Sequence, residues 1–263
     1  MLAPGTAGLA APPTRAVPVR SVPVRAVPAR LAVAATGSSR ATLRVVGLGD
    51  SVPSGGACGC TPYVQLAARR IGALQGRPVS VVNWASADDT HRLLRTVSSP
   101  AVRRQLAPSE LVIVQAGAND FSAARISACS DRIERCYGPQ IRAMRRRLST
   151  ALSRIYHLQR NARAEVVAVG YWNVFRDGAV GRSLGPAYVR GSDRLTPRVN
   201  AAIEVAAHAA GARYIDGYRP FKGAGSRDCT ALLAADGDHP NAAGHEVLAR
   251  SLVAQLGRLA RRL

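Results

Sequence analysis

Leu43-Arg44-Val45-Val46-Gly47-Leu48-Gly49-Asp50-Ser51-Val52-Pro53-Ser54-Gly55-Gly56 begins as an apolar run and ends in turn residues. Its first part, Leu43 to Leu48, has the pattern of a buried strand. Its second part reads as a turn, and a helix-like segment starts near Thr61. A serine at such a strand-to-helix turn, Ser51, is exposed at the strand's C-terminal edge with helix-terminal N–H groups aimed at the site, a place suited to a nucleophile. Alone, Gly49-Asp50-Ser51 is three common turn residues and fits an ordinary loop equally well. The downstream sequence decides between the two.

Further apolar, β-branched runs follow at Val79–Val82, Leu111–Val114, Val166–Val169 and Tyr214–Ile215, separated by helical stretches. Ile141, Met144, Leu148, Leu152, Ile155 and Leu158 step by three or four and mark one helix face, with Arg142, Arg146, Arg147 and Arg154 opposite. Leu248, Leu252, Leu256, Leu259 and Leu263 repeat the step at the end of the chain, where Asn241 is placed to cap a last helix. Alternating strands and helices predict a parallel sheet covered on both faces, with ligands beyond the strands' C-terminal ends.

Residues 1–40 differ. Arg15, Arg20, Arg25 and Arg30 recur every five residues, in step with Pro18, Pro23 and Pro28. Proline at that density forbids a helix, and the segment is expected to be a disordered basic tail or linker preceding a domain over 41–263. It does not read as a signal peptide, because prolines interrupt any apolar core.

The chain has 263 residues, 47% of them hydrophobic, enough for one sizeable core. No apolar run is long enough for a transmembrane helix. Its net charge is +20, carried by arginines except for Lys222. That charge would suit an anionic surface or nucleic acid. The arginines are dispersed, however, and aromatics are only 5%, too few for stacking platforms. Codon bias in a GC-rich genome explains the arginine excess more simply, and no specific nucleic-acid partner is expected. Of the five cysteines, Cys129 and Cys136 are spaced for a local disulfide, and Cys229 is a candidate partner for Cys58 or Cys60. Such pairing hints at an oxidising compartment and export, while buried free thiols in the cytoplasm fit nearly as well. No cysteine–histidine spacing suggests a metal site, and none is expected.

Three segments carry chemistry: Gly49-Asp50-Ser51, Gly117-Ala118-Asn119-Asp120 after the third strand, and Asp236-Gly237-Asp238-His239-Pro240-Asn241 before the last helix. Acyl transfer needs a nucleophile, a base, an orienter for the base, and donors for the oxyanion. Ser51 can attack, His239 can take and return its proton, and Asp236 can fix the imidazole tautomer. Asp238 is the alternative orienter, less suited because it is adjacent to the histidine. The Asn119 amide and the Ser51 N–H can stabilise the developing charge.

In this order the three blocks resemble the SGNH (GDSL-type) esterase and lipase family over about 43–263. The resemblance implies a three-layer α/β/α, flavodoxin-like fold with a central five-stranded parallel sheet. It implies metal-free, cofactor-free hydrolysis of esters, with Ser51 as nucleophile, Asp236 and His239 as orienter and base, and Asn119 in the oxyanion hole. Gly49, Asp50 and Gly117 are supporting motif residues. The chain departs from the family pattern at Asp88, which falls nearest to a glycine whose N–H serves there as a further oxyanion donor. A carboxylate beside an oxyanion would oppose its charge, so Asp88 is expected to turn its side chain away. The partner expected is a small-molecule or lipid ester, met by a monomer. The alternative is a catalytically weak or inactive protein of the same fold that binds through its basic tail. Trp172-Asn173-Val174-Phe175 and Tyr188 are candidates for the acyl pocket or a lid, or for a packed loop.

Overall fold

A computed structural model of the chain describes residues 41–160 and 164–263. The tail expected over 1–40 lies outside the described residues. Five parallel strands form one sheet: β1 (Leu43–Gly49), β2 (Val79–Asn83), β3 (Leu111–Gln115), β4 (Glu165–Val169) and β5 (Arg213–Ile215), in the order β2-β1-β3-β4-β5. β3 is buried along its whole length, whereas the edge strands β2 and β5 are only partly covered. That gradient explains the sequence: the central strands read as unbroken apolar runs because helices cover both faces.

The helices are α1 (Ser51–Ser54), α2 (Tyr63–Gln75), α3 (Thr90–Ser98), α4 (Pro100–Leu106), α5 (Ile133–Leu158), α6 (Gly178–Ser183), α7 (Pro186–Ala209), α8 (Arg219–Lys222) and α9 (Ala242–Leu256). α2 and α9 pack together on one face, and α3, α5 and α7 on the other. The five-stranded parallel sheet between two helix layers is the expected α/β/α architecture. Its strand order has a switch point between β1 and β3, where the chain leaves in opposite directions along the sheet and opens a crevice at the C-terminal ends.

Three elements differ from what the local pattern marks. α5 starts at Ile133, upstream of the clear periodicity, and accommodates Pro139. α7 runs through Pro197, so much of the segment following Phe175 is helix rather than loop. The last helix stops at Leu256, where Gly257 adopts φ 55°, and Leu259 lies in a separate 3-10 turn. Asn241 does cap α9, accepting the Gly244 N–H at 3.0 Å.

Cys129 pairs with Cys136 as the spacing suggested. Cys229 does not reach the other two. Cys58 and Cys60 are bonded to each other, and Cys229 is a buried thiol donating to Asp177 Oδ2 at 3.4 Å. No helix among the described residues is long and apolar enough to cross a membrane.

Candidate active site

Ser51 is the first residue of α1, directly beyond β1. Asp50 caps that turn, its Oδ1 accepting the Val52 N–H at 3.0 Å. Gly49 makes the turn possible. It holds φ 129° against β3, and a Cβ there would sit 1.8 Å from the Gln115 carbonyl oxygen, so no other residue fits. The Ser51 N–H donates to no group among the described residues and is open to a ligand.

His239 arrives from the far end of the chain. Its loop is held by Ala234 N–H to His239 O at 2.8 Å, by Asp177 N–H to Gly237 O at 2.7 Å, and by a bridge between Leu233 and Pro240. Its Nε2 lies 2.8 Å from Ser51 Oγ, and its Nδ1 2.7 Å from Asp236 Oδ2. The other Asp236 oxygen accepts the N–H groups of Asp238 (2.9 Å) and His239 (3.0 Å). Burial pushes the Asp236 carboxyl up, but these two N–H groups and the His239 ring outweigh it and hold it below the usual carboxylate range. An ionised Asp236 keeps the proton on Nδ1 and leaves Nε2 to accept from the Ser51 hydroxyl. Asp238 makes no contact with the ring nitrogens; burial raises its carboxyl, and it faces a groove described below.

Asn119 follows Gly117 in the 3-10 turn Ala118–Asp120, at the end of the strand beside β1. It is exposed, and its amide makes one long bond, 3.4 Å, to the Asp88 carbonyl oxygen. Asp120 clamps the neighbouring loop, accepting the Thr90 hydroxyl at 2.6 Å and the Thr90 N–H at 3.0 Å.

Asp88 lies between β2 and α3. Its N–H is taken by Ser86 O at 2.7 Å, so the donor expected of it is not free in this conformation. Its buried carboxylate pairs with Arg92 Nε at 3.1 Å and accepts from Thr96 Oγ1 at 3.3 Å. Both partners belong to α3, one and two turns along, so the side chain is drawn to that helix.

Tyr171 was invisible to sequence reading. Asn200 on α7 grips its backbone, accepting its N–H at 2.9 Å and donating to its carbonyl at 2.8 Å. Its hydroxyl donates to Asp50 Oδ2 and accepts the Ala118 N–H at 3.4 Å. One phenol thus ties the residue before Ser51 to the residue before Asn119.

Burial pushes Asp50 up to about 7, against the opposing bonds from Tyr171 and the Val52 N–H. A carboxyl raised in this way contributes stability that is fully present below its unfolded value of 3.8 and is lost as pH rises through about 7. The thermal midpoint of Asp50→Asn, relative to that of the parent protein, is therefore expected to rise as pH increases between those limits. Asp120, Asp193 and Asp238, also raised by burial, act in the same sense, while Asp228, Asp236 and His245, held below their ordinary values, act in the opposite one. An unchanged slope in Asp50→Asn would show that Asp50 is ionised throughout.

Beside Asp238 lies an open groove of about 580 Å³ lined by Phe175, Arg176, Leu184 and Tyr188. Of the aromatic residues singled out in the sequence, Phe175 and Tyr188 line it. Trp172 does not; it is buried and stacks on Phe221 at 4.6 Å between ring centroids.

The GDSL-like lipase/acylhydrolase family model matches residues 48–247. Among solved structures, a lipase, Lip_vut3 from a goat rumen metagenome, superposes with a TM-score of 0.66 at 21% identity, covering 83% of this chain and 100% of that one. An acetylxylan esterase, Axe2 from Geobacillus stearothermophilus, gives 0.58 at 18% identity, covering 82% and 94%. No curated protein sequence matches. At such identities the two structures speak for the fold, while the family match spans all three blocks, from Leu48 before the serine to beyond His239. The chain belongs to the GDSL-like lipase/acylhydrolase family of ester hydrolases.

Proposed function

We propose that this protein is a serine hydrolase of carboxylic esters working through an acyl-enzyme, in one domain over 41–263. The observation that carries this reading is the unbroken relay from Asp236 through His239 to Ser51, at 2.7 and 2.8 Å. Ser51 Oγ attacks the ester carbonyl carbon while His239 Nε2 takes its proton. The oxyanion is met by the Ser51 N–H and the Asn119 amide. His239 returns the proton to the departing alcohol, then activates water to release the acid and restore Ser51.

The substrates that fit are esters of lipids, small alcohols or acetylated sugars. The open groove favours a compact acyl group or an alcohol portion reaching into solvent. Two disulfides suit an oxidising compartment, and export is part of the proposal. The committed N–H of Asp88 favours a second reading, a weakly active or inactive binding protein of the same fold.

The test is hydrolysis of p-nitrophenyl esters of increasing acyl length, with labelling by a fluorophosphonate mapped by peptide mass spectrometry. Turnover with the label on Ser51 is expected. A folded protein that neither turns over nor takes the label would leave the binding reading standing.

A further inference from the structure

We propose that Cys58–Cys60 is a reversible thiol–disulfide exchange site for dithiol reductants, and that its redox state governs the fit of the Ser51–His239 pair. The two cysteines are two residues apart. Loop-closure entropy grows with the length of the loop closed, so so short a ring does little as a staple for the fold. Both residues are partly exposed, and Ala57 and Gly59 beside them are exposed, which opens the sulfurs to an attacking thiolate. Ala57 is the only non-glycine residue with positive φ among the described residues, at 57°.

The observation that gives this pair a chemistry is His245 on α9. A ring nitrogen of His245 and both sulfurs lie within 4.8 Å of one another. The imidazole is fully buried, and its Nδ1 accepts the Tyr63 N–H at 3.2 Å. The ring proton therefore sits on Nε2, which has no partner among the described residues. Burial, helped by the charge of His239, holds the ring's pKa down to about 4, so it stays neutral. The same tautomer argues against a metal: one nitrogen carries a proton and the lone pair of the other is taken by Tyr63.

Exchange proceeds in two displacements. A thiolate of the reductant attacks one sulfur, forming a mixed disulfide and releasing the other cysteine as a thiolate beside the His245 ring. The reductant's second thiol then displaces the first cysteine. The dithiol leaves as its disulfide, and two electrons and two protons pass to Cys58 and Cys60.

The link to the serine is Gly56. Its N–H donates to Ser51 O at 2.7 Å, and Cys58 N–H to Gly55 O at 3.3 Å. A Cβ at Gly56 would lie 3.0 Å from Ser51 Cβ and 3.2 Å from His239 Cδ2. The segment that leads into the disulfide, two residues before Cys58, therefore abuts both reacting side chains. This second half rests on the serine-hydrolase reading; the exchange itself does not.

The test equilibrates the folded protein in reduced and oxidised dithiothreitol mixtures and traps thiols with N-ethylmaleimide. Peptide mass spectrometry locates the label, and p-nitrophenyl acetate hydrolysis is read on the same samples. Cys58 and Cys60 should label at a milder poise than Cys129 and Cys136. The rate should fall roughly tenfold in step, as for a small misplacement of catalytic groups, and recover on reoxidation. Cys58→Ser/Cys60→Ser should stay at the low rate whatever the poise, and Cys129→Ser/Cys136→Ser should keep the response. Labelling of Cys58 and Cys60 only on unfolding, or after Cys129 and Cys136, would overturn the exchange site. Labelling at constant rate would overturn the coupling. Absence of hydrolysis in every state would overturn the serine-hydrolase reading, with the labelling still deciding the exchange.

Discussion

Ser51→Ala is expected to lower kcat/KM on p-nitrophenyl esters by roughly ten-thousand-fold or more, about 5 kcal/mol of transition-state free energy. The alanine keeps the Cβ and removes only the hydroxyl oxygen, whose contact is His239 Nε2 at 2.8 Å. The thermal midpoint should therefore barely move. His239→Ala should cost about as much, because without a base the hydroxyl is a poor nucleophile. The double variant should be little worse than either single one, since the two groups act as one unit. Losses that multiplied would show that they act separately. A Ser51→Ala protein retaining more than about a tenth of the activity would require another nucleophile.

Asn119→Ala is expected to lower kcat by roughly 10²- to 10³-fold, about 3 kcal/mol, with little change in KM. With the Asp88 N–H committed to Ser86, the proposed mechanism leaves the oxyanion to the Asn119 amide and the Ser51 N–H. The side chain is exposed and its one bond, to Asp88 O, is long at 3.4 Å. Little binds it in the resting protein, so its removal should cost little stability. Asn119→Asp, which keeps the size but exchanges a donor for negative charge, should be at least as damaging. A loss confined to KM, or smaller than about threefold, would remove Asn119 from the oxyanion hole.

The sequence exposed those parts of the architecture that are written locally. β3 and its neighbours are legible because burial on both faces demands unbroken apolar runs. Two of the chemical blocks are legible because a parallel sheet places strand-end turns on one edge, and the third because it directly precedes the last helix. What escaped depends on contacts between distant segments. Tyr171 reaches Asp50 across 121 positions, and no periodicity marks an aromatic residue as the tie between two blocks. Asp88 was expected to turn its side chain away from the site, but its partners on α3, Arg92 and Thr96, could not be named from its own segment. Pro139 and Pro197 disguised the first turns of α5 and the run of α7, because packing against neighbouring helices overrides a local helix breaker. The Cys58–Cys60 pairing was missed since a disulfide partner is a matter of space, and His245 revealed itself only once α9 lay against the start of α2.

Lys222, the single lysine, is buried, and its Nζ is held by both oxygens of Asp177 at 2.7 and 3.0 Å. Asp177 also contacts the loop that carries His239. The strongly cationic surface is thus a guanidinium surface, with no ε-amino group within easy reach. Amine-directed coupling, whether acetylation, crosslinking or attachment to an activated support, should find no readily reactive lysine in the domain. Carboxyl- or guanidinium-directed chemistry would be needed to anchor it there.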